Sequence, residues 1–176
     1  MNKKIILALS FIAFIFSSCH LDEKISFDLT FDSEANIPSS IGINIPFEIP
    51  IPPITTNINN ELSSKNSKKE YLNTAKLKEI NIKAIDPNDQ DFGFLKKLEI
   101  YISADGLPEL KIAEKLDIPV GNGPELSLDV YSNLDLANYI KKDQFNLRVR
   151  ATSRKILLHS VKININTIVS VTTDIF

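Results

Sequence analysis

Apolar and polar residues alternate along most of the chain from residue 25 onward. The longest run occupies 41–51, where every odd position is isoleucine or phenylalanine and every even position is glycine, asparagine, glutamate or proline. Because successive side chains of a strand point to opposite faces, this period of two predicts strands with one buried and one solvent-facing side. Further runs of this kind lie at 25–31, 80–84, 98–102, 110–112, 126–130, 145–151 and 161–171.

Turn-forming residues separate these runs. Asp-Pro-Asn-Asp occupies 86–89, Asp-Gly-Leu-Pro occupies 105–108 and Gly-Asn-Gly-Pro occupies 121–124. These residues favour turns because they tolerate positive φ or form local hydrogen bonds. Together the runs and turns predict an all-β fold, an antiparallel β-sandwich of about seven to eight strands that is Ig-like or jelly-roll-like.

Two segments depart from the alternation. Residues 57–69 are polar, rich in Asn, Ser and Lys, and lack any period, which predicts a surface loop. Residues 133–141 are the best candidate for the one short helix, with Asn133 or Asp135 as its N-cap. We therefore expect a single β-sandwich domain over 25–176 that contains the polar loop near 57–69.

The prolines of 41–51 predict where this strand lies in its sheet. Pro46, Pro50 and Pro52 share one parity, so the missing N–H donors all belong to one edge of the strand. We expect an edge strand with the odd-numbered isoleucines and Phe47 buried. The alternative is an extended polyproline-like stretch with few ladder bonds.

The first nineteen residues have the pattern of an export signal. Lys3 and Lys4 precede an apolar run over 5–16, and the small residues Ser17 and Ser18 precede Cys19. Such an ending resembles the lipobox of bacterial lipoproteins, in the relaxed form common in Bacteroidetes, with Phe16 where that pattern favours leucine. The resemblance implies a signal peptide over 1–18, acylation of Cys19, a lipidated tether over 19–24, and attachment to the outer membrane at its periplasmic face or at the cell surface.

A second resemblance concerns the domain itself. The stretch 92–109, followed later by 145–150, is similar to segments of uncharacterised Bacteroidetes lipoproteins. This similarity implies a shared all-β domain and carries no known activity.

Charge and cysteine content limit the function further. The chain has a net charge of −2, and without Lys3 and Lys4 18 basic residues remain against 22 acidic ones, a net charge of −4. This balance argues against a nucleic-acid partner, which would require a basic face. Cys19 is the one cysteine in the sequence, so an internal disulfide is impossible.

Few residues are suited to catalysis. The two histidines are His20, beside the acylation site, and His159, which we expect on the penultimate or last strand with Ser160 on the opposite face. No phosphate-binding loop or zinc-ligand spacing occurs. We therefore expect no enzyme activity and no cofactor.

One polar cluster is a candidate for metal binding. Asp86, Asn88, Asp89 and Asp91 place four side-chain oxygen donors within six residues, which could form part of a calcium shell. The same residues also form turns through local hydrogen bonds, and the stretch lacks the glycine and glutamate of an EF-hand. We favour the turn.

The sequence thus predicts a non-catalytic lipoprotein of the cell envelope. Its partners would be the membrane, through the lipid anchor, and a protein of the envelope that binds a structural or interaction module. The alternative is a carrier for an apolar or glycan ligand, although the absence of tryptophan weighs against glycan stacking.

Overall fold

The computed structural model describes residues 23–39 and 42–175. The expectations for the signal peptide, for Cys19 and for most of the tether concern residues outside these ranges. Within them, the chain forms two antiparallel sheets and two short α-helices. No helix in the described ranges combines the length and the apolar composition needed to cross a membrane.

The first sheet has the strand order β1-β10-β4-β7. Its strands are β1 (Lys24–Ile37), β4 (Leu72–Asp86), β7 (Glu125–Ser127) and β10 (Val161–Asp174). The second sheet has the order β2-β9-β5-β6-β8, and β3 also pairs with β9. Its strands are β2 (Pro46–Ile49), β3 (Ile54–Thr55), β5 (Leu95–Ala104), β6 (Leu107–Lys115), β8 (Asp129–Val130) and β9 (Gln144–Ser153).

The order of pairing makes the sandwich a jelly roll. Apart from the two-residue strands β3 and β8, the first strand pairs with the last, the second with the next to last, and so on inward. The resulting pairs are β1–β10, β2–β9, β4–β7 and β5–β6, which is the pattern of a long hairpin folded into two Greek keys. The predicted β-sandwich is confirmed, and its topology is the jelly-roll alternative rather than the Ig-like one.

The core lies between the two sheets. The odd-numbered residues of β10, from Val161 to Thr173, are all buried, as the alternation predicts. Phe31 of the first sheet meets Phe145 of the second edge-to-face, with ring centroids 5.3 Å apart. Such a contact adds to the stabilisation that comes from removing both rings from water.

The prediction of one short helix and a plain loop over 57–69 is wrong. Helix α1 (Ile58–Ser63) lies inside this stretch, and its two apolar side chains, Ile58 and Leu62, are fully buried. Their spacing of four residues places both on one helix face, which packs onto the sandwich. The second helix, α2 (Ala137–Ile140), is shorter than predicted and follows Leu136 as N-cap, while Asp135 accepts a hydrogen bond from the Ala137 amide at 3.0 Å.

The edge position of the proline-rich strand is confirmed over a shorter range. β2 spans only Pro46–Ile49, and β9 is its one neighbour in the sheet. Ile49 is buried, but Ile43 and Ile45 are exposed, so the expectation that all the odd positions face the core is wrong. Asn44 has a positive φ of 57°, which ends the extended conformation before β2 begins.

Two further runs differ from expectation. Residues 126–130 were predicted as one strand, but the chain leaves the first sheet after β7 and joins the second as β8. His159 lies in the exposed loop between β9 and β10 and not on a strand. The hairpin at 105–108 is confirmed, with Gly106 at a φ of 72° between β5 and β6.

The contact between Phe31 and Phe145 gives a test of the core. We expect Phe145→Ala to lower the free energy of unfolding by about 3–5 kcal/mol, because it removes a fully buried ring and leaves a cavity. The measurement is equilibrium denaturation in urea. Leu158→Ala is the control, since this side chain is 88% exposed and its loss should change stability by less than about 0.5 kcal/mol.

Candidate functional site

The chain enters the sandwich very close to the predicted acylation site. β1 begins at Lys24, five residues after Cys19, and the Glu23 carbonyl accepts a hydrogen bond from the Ile175 amide at 3.1 Å. Five residues span at most about 17 Å of extended chain. A lipid on Cys19 would therefore hold this end of the sandwich, here called the anchor end, next to the membrane surface.

The opposite end of the sandwich, here called the distal end, is built from the loops 42–45, 87–94, 116–124 and 154–160. Hydrogen bonds hold these loops in place: Asn44 N donates to Ser153 O at the end of β9 at 3.0 Å, and Phe92 N donates to Gly123 O in another loop at 3.2 Å. The large apolar side chains that are exposed in the described ranges all lie at this end: Ile43, Ile45, Ile85, Leu116, Val120, Ile156 and Leu158.

The predicted calcium candidates also lie at the distal end, where the structure places them in a turn. Asp91 accepts hydrogen bonds with both carboxylate oxygens, from the Gly93 amide at 2.5 Å and from the Gly123 amide at 2.8 Å. It thereby joins the loop after β4 to the loop after β6. Within the described ranges, no group of three or more His, Cys, Asp or Glu side chains is arranged to hold a metal ion.

A groove runs along the open seam between the two sheets, where β1 and the segment after β2 face each other. Residues 28–34 of β1 line one wall, 52–57 line the other, and Glu61 of α1 adds to the lining. The volume of this seam groove is about 610 Å³. Its lining contains four acidic side chains and no Lys, Arg or His: Asp28, Asp32, Glu34 and Glu61.

Two of the four carboxylates in the seam groove have ion-pair partners. Lys78 lies 2.5 Å from Asp28, and its hydrogen bond lowers the pKa of that carboxyl. Lys162 lies 2.6 Å from Glu34. Among the described residues, no Lys or Arg forms an ion pair with Asp32 or Glu61, although Asp32 accepts a hydrogen bond from the Asn166 amide group at 2.9 Å.

Charged side chains on the outer face of the second sheet form ion pairs that connect its strands. Arg148 of β9 donates to Glu109 of β6 at 2.6 Å and to Glu48 of β2 at 3.0 Å, and it stacks over Tyr101 of β5. Its hydrogen bond lowers the pKa of Glu109. Since these groups satisfy one another across the four strands β2, β9, β5 and β6, we interpret the cluster as structural.

Sequence reasoning did not identify the seam groove. The acidic residues at even positions of β1 are visible in the alternation, but nothing in the sequence of β1 shows that this strand ends a sheet. β1 lacks proline and glycine just as the interior strands β9 and β10 do, so no signal of its own distinguishes it from them.

Comparisons with known proteins give only distant structural likenesses. No protein-family model and no curated protein matches the chain. A chain of the Cocksfoot mottle virus structure is 10% identical with a TM-score of 0.35, covering 86% of this chain and 85% of that one. The infectious bursal disease virus VP2 subviral particle is 12% identical with a TM-score of 0.40, covering 87% of this chain and a third (33%) of that one.

A carbohydrate-binding module is among the similar structures. The module CBM32-3 from a family 31 glycoside hydrolase of Clostridium perfringens is 10% identical with a TM-score of 0.35, covering 76% of this chain and 74% of that one. The strand pairing defines the class as a β-sandwich with jelly-roll topology. The likenesses are too distant to add to that assignment.

The role of Asp91 as a connector of two loops can be tested by substitution. We expect Asp91→Ala to lower the free energy of unfolding by about 1–3 kcal/mol, because two backbone N–H groups lose their acceptor. Asp89→Ala is the matched control, since Asp89 is exposed and its loss should cost less than about 0.5 kcal/mol. Equal stability of the two variants in urea denaturation would contradict the assignment.

The unsubstituted protein and Asp91→Ala also test whether the turn at 86–91 binds calcium. We expect the melting temperature of the unsubstituted protein to be the same in millimolar Ca²⁺ and in chelator, because Asp91 already directs both oxygens at amide donors. A ligand that binds only the folded state raises the melting temperature. A rise of several degrees that Asp91→Ala abolishes would establish a calcium site instead of a turn.

Proposed function

We propose that this chain is a non-catalytic lipoprotein of the cell envelope, held in the outer membrane by an acylated Cys19. In this proposal the jelly roll is a structural or interaction module at the periplasmic face or at the cell surface. The observation that carries the proposal is the spacing between the lipobox-like cysteine and the start of β1, only five residues later. Two or three acyl chains on one residue give a stable anchor, whereas a single chain does not.

The positions of the exposed apolar residues support a role in binding a protein. Scattered apolar side chains on a surface are ordinary, but a group of them at one place is typical of an interaction site. Here they are gathered at the distal end, which a short tether on Cys19 would direct away from the membrane. A partner in the envelope would reach this end without competing with lipid.

The placement of the histidine supports a non-catalytic role. A general base acts within hydrogen-bond reach of a nucleophile or substrate and is commonly held in a cleft. His159 is exposed, in a loop of the distal end, where it borders an open pocket together with Ile156 and Leu158. The polar residues that share this pocket are Gln90, Asp91 and Lys155, and no serine, threonine or cysteine of the described ranges lines it.

Acylation of Cys19 is directly testable. In cells fed a fatty acid that carries an alkyne tag, we expect the unsubstituted protein to incorporate the tag and Cys19→Ser to fall to background, because serine offers no thiol. The variant should retain its β-sheet circular dichroism, since residue 19 precedes the first strand. The measurement is tag fluorescence on the immunoprecipitated protein.

His20→Ala serves as the matched control for this experiment. It changes the neighbouring residue and leaves the cysteine in place, so its tag incorporation should equal that of the unsubstituted protein. Tag on Cys19→Ser, or no tag on the unsubstituted protein, would show that Cys19 is not the lipid-bearing residue.

A further inference from the structure

The four sheet edges of the described sandwich differ greatly in length. The outer strands β2, β7 and β8 have four, three and two residues, whereas β1 has 14. β1 pairs with β10 along its whole length without a bulge. It therefore presents a long, regular row of backbone N–H and C=O groups on its other side.

Natural sheets normally protect such an edge. Short strands, prolines, bulges and charged side chains, above all lysine, are the usual means, because an open edge is a template for pairing with another chain. β2 has Pro46 within it and Pro50, Pro52 and Pro53 after it. β1 contains neither proline nor glycine, its single lysine is Lys24 at its first position, and the charges along the rest of its length are the carboxylates of Asp28, Asp32 and Glu34.

The seam groove lies along this edge, with which no described strand pairs. All seven consecutive residues 28–34, from both faces of the strand, contribute to the groove wall, as expected where the groove follows the strand edge and not one face. Seven residues of antiparallel strand are about 24 Å long. The opposite wall, 52–57, is likewise a continuous stretch of chain, so the groove has the proportions of a strand.

The negative charge of the seam groove indicates which kind of chain segment could bind there. The carboxylates of Asp32 and Glu61 have no ion-pair partner among the described residues, and the lining contains no basic side chain. A second copy adding its own β1 would place Asp28, Asp32 and Glu34 near their counterparts, and like charges across neighbouring strands are destabilising. A segment that carries lysine or arginine would instead complement the groove.

We infer that the seam groove binds an extended, basic segment of a partner protein, which pairs with the free edge of β1 as an additional strand. Backbone hydrogen bonds to β1 would supply affinity, and the acidic side chains would select basic residues. The inference goes beyond the proposed function, because it holds whether or not Cys19 is acylated, and it concerns a surface separate from the distal end.

The test uses the mature protein in nonionic detergent and a fluorescent peptide of about nine residues in which lysine and valine alternate. Fluorescence anisotropy should show saturable binding, weakened roughly tenfold when glutamate replaces lysine, since the groove then repels the peptide. Methylation of alternate backbone amides should abolish binding with the charge unchanged, because it removes the ladder donors. Equal binding of the methylated peptide, or of the glutamate peptide, would overturn the inference.

A double variant tests the location of the bound peptide. Asp32→Asn with Glu61→Gln should weaken binding of the lysine peptide roughly fivefold or more, in line with the loss of two exposed ion pairs. Glu125→Gln with Asp129→Asn is the matched control, since it makes the same two changes at the opposite seam and should leave binding unchanged. Equal losses in both double variants would show only nonspecific attraction by net charge.

Hydrogen exchange identifies the strand with which the bound peptide pairs. Within 28–34, alternate amides of β1 are not hydrogen-bonded to β10, and peptide binding should slow the exchange of these amides. The exchange of the β5 and β6 amides should stay unchanged. Spermine, a basic molecule without a peptide backbone, should give no such protection. Failure of the lysine peptide to bind, or binding that protects amides elsewhere than β1, would overturn the inference.

Discussion

The position of the last strand determines the rest of this structure. β10 lies between β1 and β4 and pairs with both along nearly its whole length. Every odd-numbered side chain of β10 is buried. The strand therefore forms ladder hydrogen bonds along both edges and contributes one face to the core. Without β10, β1 would have no neighbour in its sheet, and the jelly-roll pairing of first strand with last would be lost.

Two functional features follow from this arrangement. Since β1 and β10 are antiparallel, the start of the first strand and the end of the last lie together, which places the tether, and with it the proposed lipid, at one end of the sandwich. Since β10 occupies only one side of β1, no strand of the described residues pairs with the other side, which borders the seam groove. The proposed lipid anchor and the proposed strand pairing thus both involve β1. The anchor is attached just before its first residue, and the pairing involves residues 28–34.

The alternation of residues predicted the sandwich, because burial of one sheet face is a local and periodic signal. It did not reveal the first half of β4, where Leu77 and Ile80 are both buried although two residues separate them. A register shift at Lys78 produces this spacing, since Ile168 opposes Glu79 and Val169 opposes Leu77. Helix α1 and the seam groove were missed for a related reason: they depend on which distant segments become neighbours, and no local pattern encodes that.

The first sheet depends on β10, and native-state hydrogen exchange can test this dependence. We expect the β10 amides between Ile163 and Val171 to exchange only through global unfolding, with a free energy equal to that from denaturant unfolding. These amides should be as slow as the slowest of β5 and β9. Exchange of β10 at a markedly lower free energy than β5 and β9 would instead show that the first sheet opens independently of the second and that β10 does not hold it to the core.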